Sequence, residues 1–286
     1  KRQFITSAHG RKANLVAAIR THEKVFSILG SSDGVSALAK KLKEYNMDRV
    51  RLFVGEQLSY AQEKILTGYP EDFVSYTGDA LSVVYVENET YVPRPATHGI
   101  RDEEFVRDKV PMTKEEIRTV SLAKLGLLKD SVCWDVGAGT GSVSVEMALR
   151  AAEGRVYAIE KKSLAAELLL KNKMKFAADN LTIVEGEAPE VLRGLEAPTH
   201  AFIGGSSGNM KAIMELLLHK NPRVRIVINC IALESVAEAL RCLKELPVTD
   251  TEVVQLSVGR ARKAGPYHMM MGENPITIIS CTGDIR

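Results

Sequence analysis

Short apolar runs alternate with segments of helical periodicity along the chain. A continuous apolar run without helical spacing is typical of a strand that is buried on both faces, as in a parallel sheet. Helices are predicted from Glu115 to Leu125, ending at Gly126, and from Leu233 to Glu245. The pattern beyond residue 104 therefore predicts an α/β fold. Its predicted strands are residues 132–136, 155–159, 181–184, 200–203, 225–230, 251–257 and 276–281.

The same alternation predicts a separate α/β unit in residues 1–92. Residues 93–103 begin with Pro93 and Pro95 and show no periodicity, which predicts an extended linker. We therefore expect a first domain over residues 1–92, a linker over 93–103 and a second domain over 104–286. In the first domain, strands are predicted at residues 3–8, 24–29, 49–54 and 81–86, and helices at 11–20 and 34–45.

A glycine-rich turn follows the predicted strand at residues 132–136. Its glycines at 137, 139 and 141 allow positive φ and a close approach to a ligand, and the next helix offers free N–H groups. The dinucleotide fingerprint G-x-G-x-x-G fits less well, because Ser142 stands where its third glycine is expected. The spacing G-x-G-x-G after the acidic Asp135 favours S-adenosylmethionine (SAM). A plain strand-to-helix turn is the alternative.

Acidic residues also lie at the ends of the next two predicted strands. Glu160 is placed to accept hydrogen bonds from both hydroxyls of a ribose. The third strand leads into Glu187 and Ala188, in the turn that lies against the adenine in class I methyltransferases. A solvated glutamate is the alternative for Glu160. Three consecutive strand ends together predict a nucleoside site.

Composition excludes several classes of protein. With 286 residues and 45% hydrophobic content, the chain can bury a sizeable core and form two domains. A net charge of +2 gives no basic field for nucleic acid or an anionic membrane. No apolar run is long enough to span a bilayer, and residues 1–3 lack a signal peptide's apolar core. A cytoplasmic protein is therefore predicted.

Four cysteines lie in separate apolar segments, without a C-x-x-C motif. This spacing predicts reduced core thiols, with neither a disulfide framework nor a metal site. The cysteines are Cys133, Cys230, Cys242 and Cys281.

Five motifs stand out, at residues 98–105, 110–118, 135–141, 187–190 and 204–208. Together they resemble the CbiT-type family of precorrin methyltransferases, the decarboxylating half of the precorrin-6Y C5,15-methyltransferases of cobalamin biosynthesis. One departure is Arg101, where a proline is often expected; it lies away from the predicted cofactor site. The resemblance implies a class I SAM-dependent fold, Rossmann-like and seven-stranded, with an antiparallel strand pair at its end. It also implies a homo-oligomer, namely a tetramer.

The same resemblance implies the reaction. It is methylation of C15 of precorrin-6Y, precorrin-6B or their cobalt forms, with loss of CO₂ from the C12 acetate chain. The conjugated macrocycle can take up the electron pair that decarboxylation leaves. No catalytic residue is assigned, although Tyr267 and His268 are candidates.

The site residues follow partly from the motifs and partly from the resemblance. Thr113 is expected over SAM, although a capping box with Glu116 equally explains it. The open loop with Gly205 and Ser206 replaces the N-P-P-aromatic loop of base N-methylases and is expected to offer backbone donors to substrate carboxylates. An unliganded flexible connection is the alternative. The predicted cofactor-binding residues are Thr113, Gly137, Ala138, Gly139, Thr140, Gly141, Glu160, Glu187 and Ala188.

A basic segment joins the last two predicted strands. Its Arg260 and Arg262 are predicted to pair with substrate carboxylates, and a solvated basic loop is the alternative. The apolar residues Met269, Met270 and Met271 follow on the same segment and predict a groove or a subunit contact.

The first domain resembles the latter half of a CbiE-type tetrapyrrole methylase, a class III methyltransferase. The resemblance rests on residues 7–11, 55–60 and 81–84. That family carries a glycine-rich SAM loop upstream of the position of Ser7, so a partial domain belonging to C5 methylation is expected.

Two alternatives remain open from the sequence. One is a class I methyltransferase for another substrate, such as RNA, protein or a small metabolite. An RNA enzyme would be expected to show a basic face or an added RNA-binding module. The other is a SAM-binding or assembly module without turnover.

Overall fold

The computed structural model describes residues 3–10, 13–31, 33–93 and 98–285. Residues 94–97 of the predicted linker and residues 11–12 of the first predicted helix lie outside the described residues. The chain divides into two compact units. The first comprises Lys1–Ala96, Ala152–Gly154 and Lys173–Asn180, and the second comprises Thr97–Ala151, Arg155–Asn172 and Leu181–Arg286.

The first unit contains a five-stranded mixed sheet. Its strands are β1 (Phe4–Ser7), β2 (Lys24–Leu29), β3 (Arg51–Glu56), β4 (Lys64–Gly68) and β5 (Ser82–Glu87), and its helices are α1 (Leu15–Thr21), α2 (Gly34–Glu44) and α3 (Pro70–Phe73). The strand order is β1-β2-β5-β3-β4, in which β1 and β2 are parallel and the other pairs are antiparallel.

Alternating side chains of this sheet form the core of the first unit. Leu52 and Val54 on β3 and Val84 and Val86 on β5 are buried with Leu42 of α2. The sequence pattern predicted this alternation, but it missed β4 and α3. Strand β4 is mostly exposed and lies at the sheet edge, so it has no buried apolar face to give a periodicity.

From residue 98 onward, the chain forms a larger α/β sheet and a separate hairpin. The strands are β6 (Val132–Val136), β7 (Arg155–Glu160), β8 (Leu181–Glu185), β9 (His200–Ile203), β10 (Arg225–Cys230), β11 (Val248–Leu256), β12 (Gly259–Ala264), β13 (Tyr267–Gly272) and β14 (Ile276–Gly283). The helices are α4 (Glu115–Leu125), α5 (Ser142–Arg150), α6 (Ser163–Phe176), α7 (Met210–Lys220) and α8 (Leu233–Glu245).

Seven of these strands form one sheet in the order β11-β14-β10-β9-β6-β7-β8. Strands β8, β7, β6, β9 and β10 are parallel, whereas β14 is antiparallel to both β10 and β11. The central strand β6 is buried on both faces, and its Cys133 and Trp134 are 0% exposed. This arrangement explains its unbroken apolar run. The prediction of a mostly parallel, seven-stranded α/β sheet is confirmed.

The segment between the last two sheet strands was predicted as a loop, and this was wrong. Strands β12 and β13 form a two-stranded antiparallel sheet of their own, with Arg260 opposite Met271 and Arg262 opposite Met269. Every residue of β13 is exposed. Without a buried face, the sequence carries no alternation of apolar and polar residues to indicate a strand.

The two ends of α4 differ in how well the sequence predicted them. Gly126 ends the helix in the left-handed conformation, at φ +66°, as predicted. Thr113 was predicted as the N-cap with a capping box, and this was wrong. The N-cap is Lys114, which forms no side-chain cap hydrogen bond in the described part of the chain. The carbonyl of Thr113 instead accepts a hydrogen bond from Nη1 of Arg118 at 2.6 Å.

Candidate active site

A cavity of about 620 Å³ opens at the carboxyl ends of the parallel strands β6 to β10. One part of its lining, here called the strand-end wall, consists of residues 136–139, 159–162, 165, 186–188, 204–207, 229 and 231. The other part, here called the outer wall, consists of residues 110–114, 117, 258, 273, 274 and 276. Ligands of open α/β sheets bind at this edge, so the cavity lies where the sequence predicted a site.

The glycine turn after β6 has the conformation that its sequence predicts. Gly137, Gly139 and Gly141 have φ values of +77°, +57° and +77°. A Cβ atom on Gly137 would lie 2.8 Å from the backbone N and O of Gly205, and one on Gly139 would lie 3.0 Å from the carbonyl oxygen of Pro111. Side chains at these positions would therefore clash with backbone as well as strain the turn.

Glu160 links the ends of two strands at the cavity. Its side chain is 8% exposed and lines the cavity. Oε2 accepts a hydrogen bond from the N–H of Gly139, and Oε1 accepts one from the N–H of Lys162, both at 2.9 Å. Each carboxylate oxygen can accept a further hydrogen bond. Glu160 therefore fixes the glycine turn and still offers acceptors to a ligand.

A second carboxyl group lies behind the turn, on Asp135. It is 1% exposed, and the hydroxyl of Ser144 donates a hydrogen bond to its Oδ2. Burial raises the pKa of Asp135 to about 7, with a further contribution from the charge of Glu160, although Ser144 opposes the shift. The group is therefore partly protonated near neutral pH.

The turn after β8 contributes Glu187 and Ala188 to the cavity. The carboxylate of Glu187 lies 3.0 Å from Nζ of Lys161, and both side chains line the wall. The carbonyl of Ala188 accepts a hydrogen bond from Nδ2 of Asn209 at 3.1 Å, which ties this turn to the start of α7. The turn is thus held from two sides.

Arg118 organises the segment that leads to the outer wall. Its side chain is 0% exposed, and its Nε donates to Oε1 of Glu146 at 2.5 Å. Glu146 also accepts hydrogen bonds from the N–H groups of Gly99 and Ile100, at 3.0 and 3.1 Å. The guanidinium carbon lies 4.8 Å from the centroid of the Phe105 ring. A buried ion pair therefore fixes the course of residues 99–113.

Arg260 makes a second charged cluster at the outer wall. Its Nη2 pairs with Oε2 of Glu116 and lies 3.6 Å from Oδ2 of Asp102, while its Nε lies 3.3 Å from Oε1 of Glu273. Burial works to lower the pKa of Arg260, but the surrounding carboxylates together outweigh it and raise the pKa. The hairpin is thereby joined to the start of α4 and to the segment between β13 and β14.

The structure brings most of the predicted site residues together. Nine line the cavity, namely Thr113, Gly137, Ala138, Gly139, Glu160, Glu187, Ala188, Gly205 and Ser206. Thr140 and Gly141 are buried behind the turn, where a Cβ on Gly141 would lie 2.6 Å from Leu169. Among the described lining residues, none is Arg260, Arg262, Tyr267 or His268, and the last three are exposed on the hairpin.

Sequence reasoning missed several polar residues of the cavity. Lys114, Lys161 and Lys162 line it, as do Asn229 and Asn274. Asn229 lies on β10 near its carboxyl end and its Nδ2 donates to the hydroxyl of Ser121 at 2.9 Å. The strand-end rule that found Glu160 would also have indicated Asn229. No sequence signal indicated that the three lysines line a site, because lysine is common on any protein surface.

Within residues 3–10, 13–31, 33–93 and 98–285, no cluster of three or more His, Cys, Asp or Glu side chains is arranged to hold a metal ion. No helix there combines the length and apolar character needed to cross a bilayer.

Comparison with protein families gives one match that covers more than half of the chain. The precorrin methyltransferase domain family matches residues 103–283. The chain belongs to this family. The precorrin methyltransferase domain therefore includes both walls of the cavity.

Individual relatives of this precorrin methyltransferase domain agree with the family match. A probable cobalt-precorrin-6B C(15)-methyltransferase (decarboxylating) from Pyrobaculum calidifontis is 44% identical over 188 residues, which cover 65% of this chain and 96% of the relative. The cobalt-precorrin-6B C(15)-methyltransferase (decarboxylating) of Salmonella typhimurium is 38% identical over 184 residues, covering 64% and 95%.

A solved structure is also similar. The precorrin-6Y C5,15-methyltransferase of Geobacter metallireducens is 36% identical, with a TM-score of 0.61, and the match covers 65% of this chain and 97% of that one. The predicted family resemblance and the predicted class I methyltransferase fold are both confirmed.

Proposed function

We propose that this protein is a SAM-dependent C-methyltransferase that methylates C15 of a precorrin-6 type macrocycle and removes CO₂ from its C12 acetate chain. The observation that carries the proposal is the cavity at the strand ends, with Glu160 and the glycine turn on one side, inside a domain of the precorrin methyltransferase family. The names of the relatives support both the position of methylation and the decarboxylation. A class I methyltransferase for RNA, protein or a small metabolite is not favoured.

SAM is the cofactor of this reaction and supplies a methyl group carried on a sulfonium. The strand-end wall fits it, because the glycine turn presents backbone without side chains and Glu160 presents carboxylate oxygens to ribose hydroxyls. Glu187 and Ala188 are assigned to the adenine, and Thr113 covers the cofactor from the outer wall. Thr140 and Gly141 support the turn from behind.

The macrocycle is assigned to the space between Gly205, Ser206 and the outer wall. The N–H of Gly205 donates to the carbonyl of Val136 at 3.2 Å, so the substrate carboxylates are assigned to the hydroxyl of Ser206 and the ammonium group of Lys114. The residues contribute by positioning the substrate and excluding water, which is sufficient for transfer from an activated methyl donor. No general base is assigned, because the macrocycle itself accepts the electron pair of decarboxylation.

We further propose that residues 1–92 form part of a tetrapyrrole methylase domain belonging to C5 methylation, followed by a linker over residues 93–103 and the methyltransferase domain over 104–286. The motifs at residues 7–11, 55–60 and 81–84 support this assignment, as does the mixed five-stranded sheet.

We also propose that the protein is a homotetramer in the cytoplasm. The hairpin supports assembly, because Met269, Met270 and Tyr267 are 56%, 69% and 72% exposed on a two-stranded sheet that has little stability alone. The cysteines at 133, 230, 242 and 281 are buried free thiols, which suits a reducing compartment. Light scattering of the purified chain tests the assembly, and a monomer would contradict it.

The reaction is tested by incubating the full chain with methyl-labelled SAM and either precorrin-6B or its cobalt form. We expect the label in the macrocycle at C15, identified by nuclear magnetic resonance, together with release of CO₂. Label at C5 without label at C15 would contradict the assigned position. Binding of SAM without transfer to either substrate would instead support a binding module.

A further inference from the structure

We infer that Arg260 is a positioning residue that neutralises Glu273 at the cavity wall, and that it does not itself bind the carboxylates of the substrate. This inference rests on the proposed function in one respect, since it requires a ligand with several negative charges. It replaces the expectation, drawn from the sequence, that Arg260 pairs with substrate carboxylates directly.

The location of the two side chains supports this role. Glu273 lines the cavity, whereas Arg260 is not among the described lining residues. Nε of Arg260 lies 3.3 Å from Oε1 of Glu273, and the Glu273 side chain is only 26% exposed. The negative charge of the half-buried Glu273 at the wall of an anion-binding cavity is therefore neutralised by the guanidinium of Arg260, which is not part of the described lining.

The remaining contacts of Arg260 leave its guanidinium little freedom to turn toward a ligand. Nη2 pairs with Glu116 and lies 3.6 Å from Asp102. Oδ1 of the Asp102 carboxylate lies 3.3 Å from Nη1 of the buried Arg118. Carboxylates on three separate segments therefore hold Arg260 in one place.

Arg262 provides a matched comparison on the same strand. It lies two residues from Arg260, on the same face of β12, and has the same charge, but it is exposed and not among the described lining residues. A general loss of positive charge from the hairpin would weaken ligand binding equally in variants of Arg260 and of Arg262. Loss of the positive charge beside Glu273 would weaken binding only in the Arg260 variant.

The consequence for binding follows from Coulomb repulsion. Without Arg260, the carboxylate of Glu273 would face the carboxylates of the macrocycle across a cavity that excludes much of the water. The resulting loss of affinity should disappear when the charge of Glu273 is also removed. It should also shrink as salt is added, because ionic screening weakens repulsion that reaches solvent.

The test measures binding of uroporphyrin, a flat tetrapyrrole polycarboxylate, from the change in its fluorescence on addition of the full chain. The variants are Arg260→Ala, Arg262→Ala, Glu273→Gln and the double variant Arg260→Ala with Glu273→Gln. We expect Arg260→Ala to raise the dissociation constant about tenfold, and the double variant to return it near the wild-type value. Arg262→Ala should change it by less than about twofold.

The inference is overturned if the double variant binds as weakly as Arg260→Ala, because a direct contact is not restored by removing Glu273. It is also overturned if Arg260→Ala binds as well as the wild type, or if the two arginine variants lose affinity equally. Arg260→Lys keeps the charge and should keep most of the binding, which separates compensation from loss of fold if Arg260→Ala unfolds. Turnover of precorrin-6B by the wild type is measured separately, so failure of the proposed reaction is distinguishable from failure of this inference.

Discussion

The two walls of the cavity are held in place by different kinds of interaction. The strand-end wall follows from strand pairing, and its polar contacts are short-range hydrogen bonds such as those from Gly139 and Lys162 to Glu160. The outer wall depends on ion pairs between distant segments, including Arg118 with Glu146 and Arg260 with Glu116. The strand-end wall is thus fixed by the sheet, whereas the outer wall is fixed by charges that single substitutions can unbalance.

The largest effect is expected for the variant Arg118→Met. It would leave Glu146, whose side chain is 3% exposed, without its guanidinium partner, and Asp102 would lose one of its cations. Removing one member of a buried ion pair costs about 3–5 kcal/mol of unfolding free energy. Urea denaturation measures the loss, with Lys124→Ala as the control.

Lys124 pairs with Glu252 on the surface, so its replacement should cost less than about 1 kcal/mol. Equal losses for Arg118→Met and Lys124→Ala would show that the outer wall does not depend on the buried pair.

At the strand-end wall, Glu160→Ala should weaken SAM binding. The variant removes a charged acceptor and frees the N–H groups of Gly139 and Lys162. We expect a loss of about 1.5–3 kcal/mol, or about tenfold to a hundredfold in affinity, by titration calorimetry. Glu185→Ala is the control. Glu185 lies beside Glu160 on the next strand, but it is exposed and is not among the described lining residues of the cavity. Unchanged affinity of the Glu160 variant would rule out this placement of the ribose.

A smaller effect concerns the pH dependence of stability at the same wall. The pKa of Asp135 is raised to about 7, so the folded protein keeps a proton that the unfolded chain, with a pKa of about 3.9, has already lost. Between these values, the contribution of Asp135 to stability falls as the pH rises, by at most about 1.4 kcal/mol per pH unit, and it is constant above them.

The variant Asp135→Asn should remove this slope. The measurement is the difference in unfolding free energy between wild type and variant from about pH 5 to pH 7, with Asp108→Asn as the control for a surface charge. A difference that stays constant over this range would mean that Asp135 is already ionised in the folded protein.

The smallest effect is expected for Thr113→Ala. Its backbone carbonyl, and not its side chain, makes the contact with Arg118, and the helix is capped at Lys114. We therefore expect the unfolding free energy without cofactor to change by less than about 0.5 kcal/mol. A loss near 1 kcal/mol, the usual effect of removing a cap, would restore the predicted capping box.

The difference between local patterns and contacts between distant segments explains what the sequence predicted and what it did not. Strand β10 and helix α8 were predicted with their observed bounds, because β10 is a continuous apolar run and the apolar residues of α8 have helical spacing. Glu160 was found because strand ends of a parallel sheet share one edge. The pairing of Arg260 with Glu116 joins residues 144 positions apart, and no local pattern encodes such a pair. The hairpin was missed because it has no buried face.

The close approach of Gly137 to Gly205 has a consequence for how the two ligands affect each other's binding. Because a Cβ on Gly137 would lie only 2.8 Å from backbone atoms of Gly205, the glycine turn and the loop after β9 touch without an intervening side chain. A ligand that orders one loop should therefore order the other and lower the entropy lost when a second ligand binds. Since such coupling is reciprocal, we expect cofactor and macrocycle each to tighten the other's binding by the same factor.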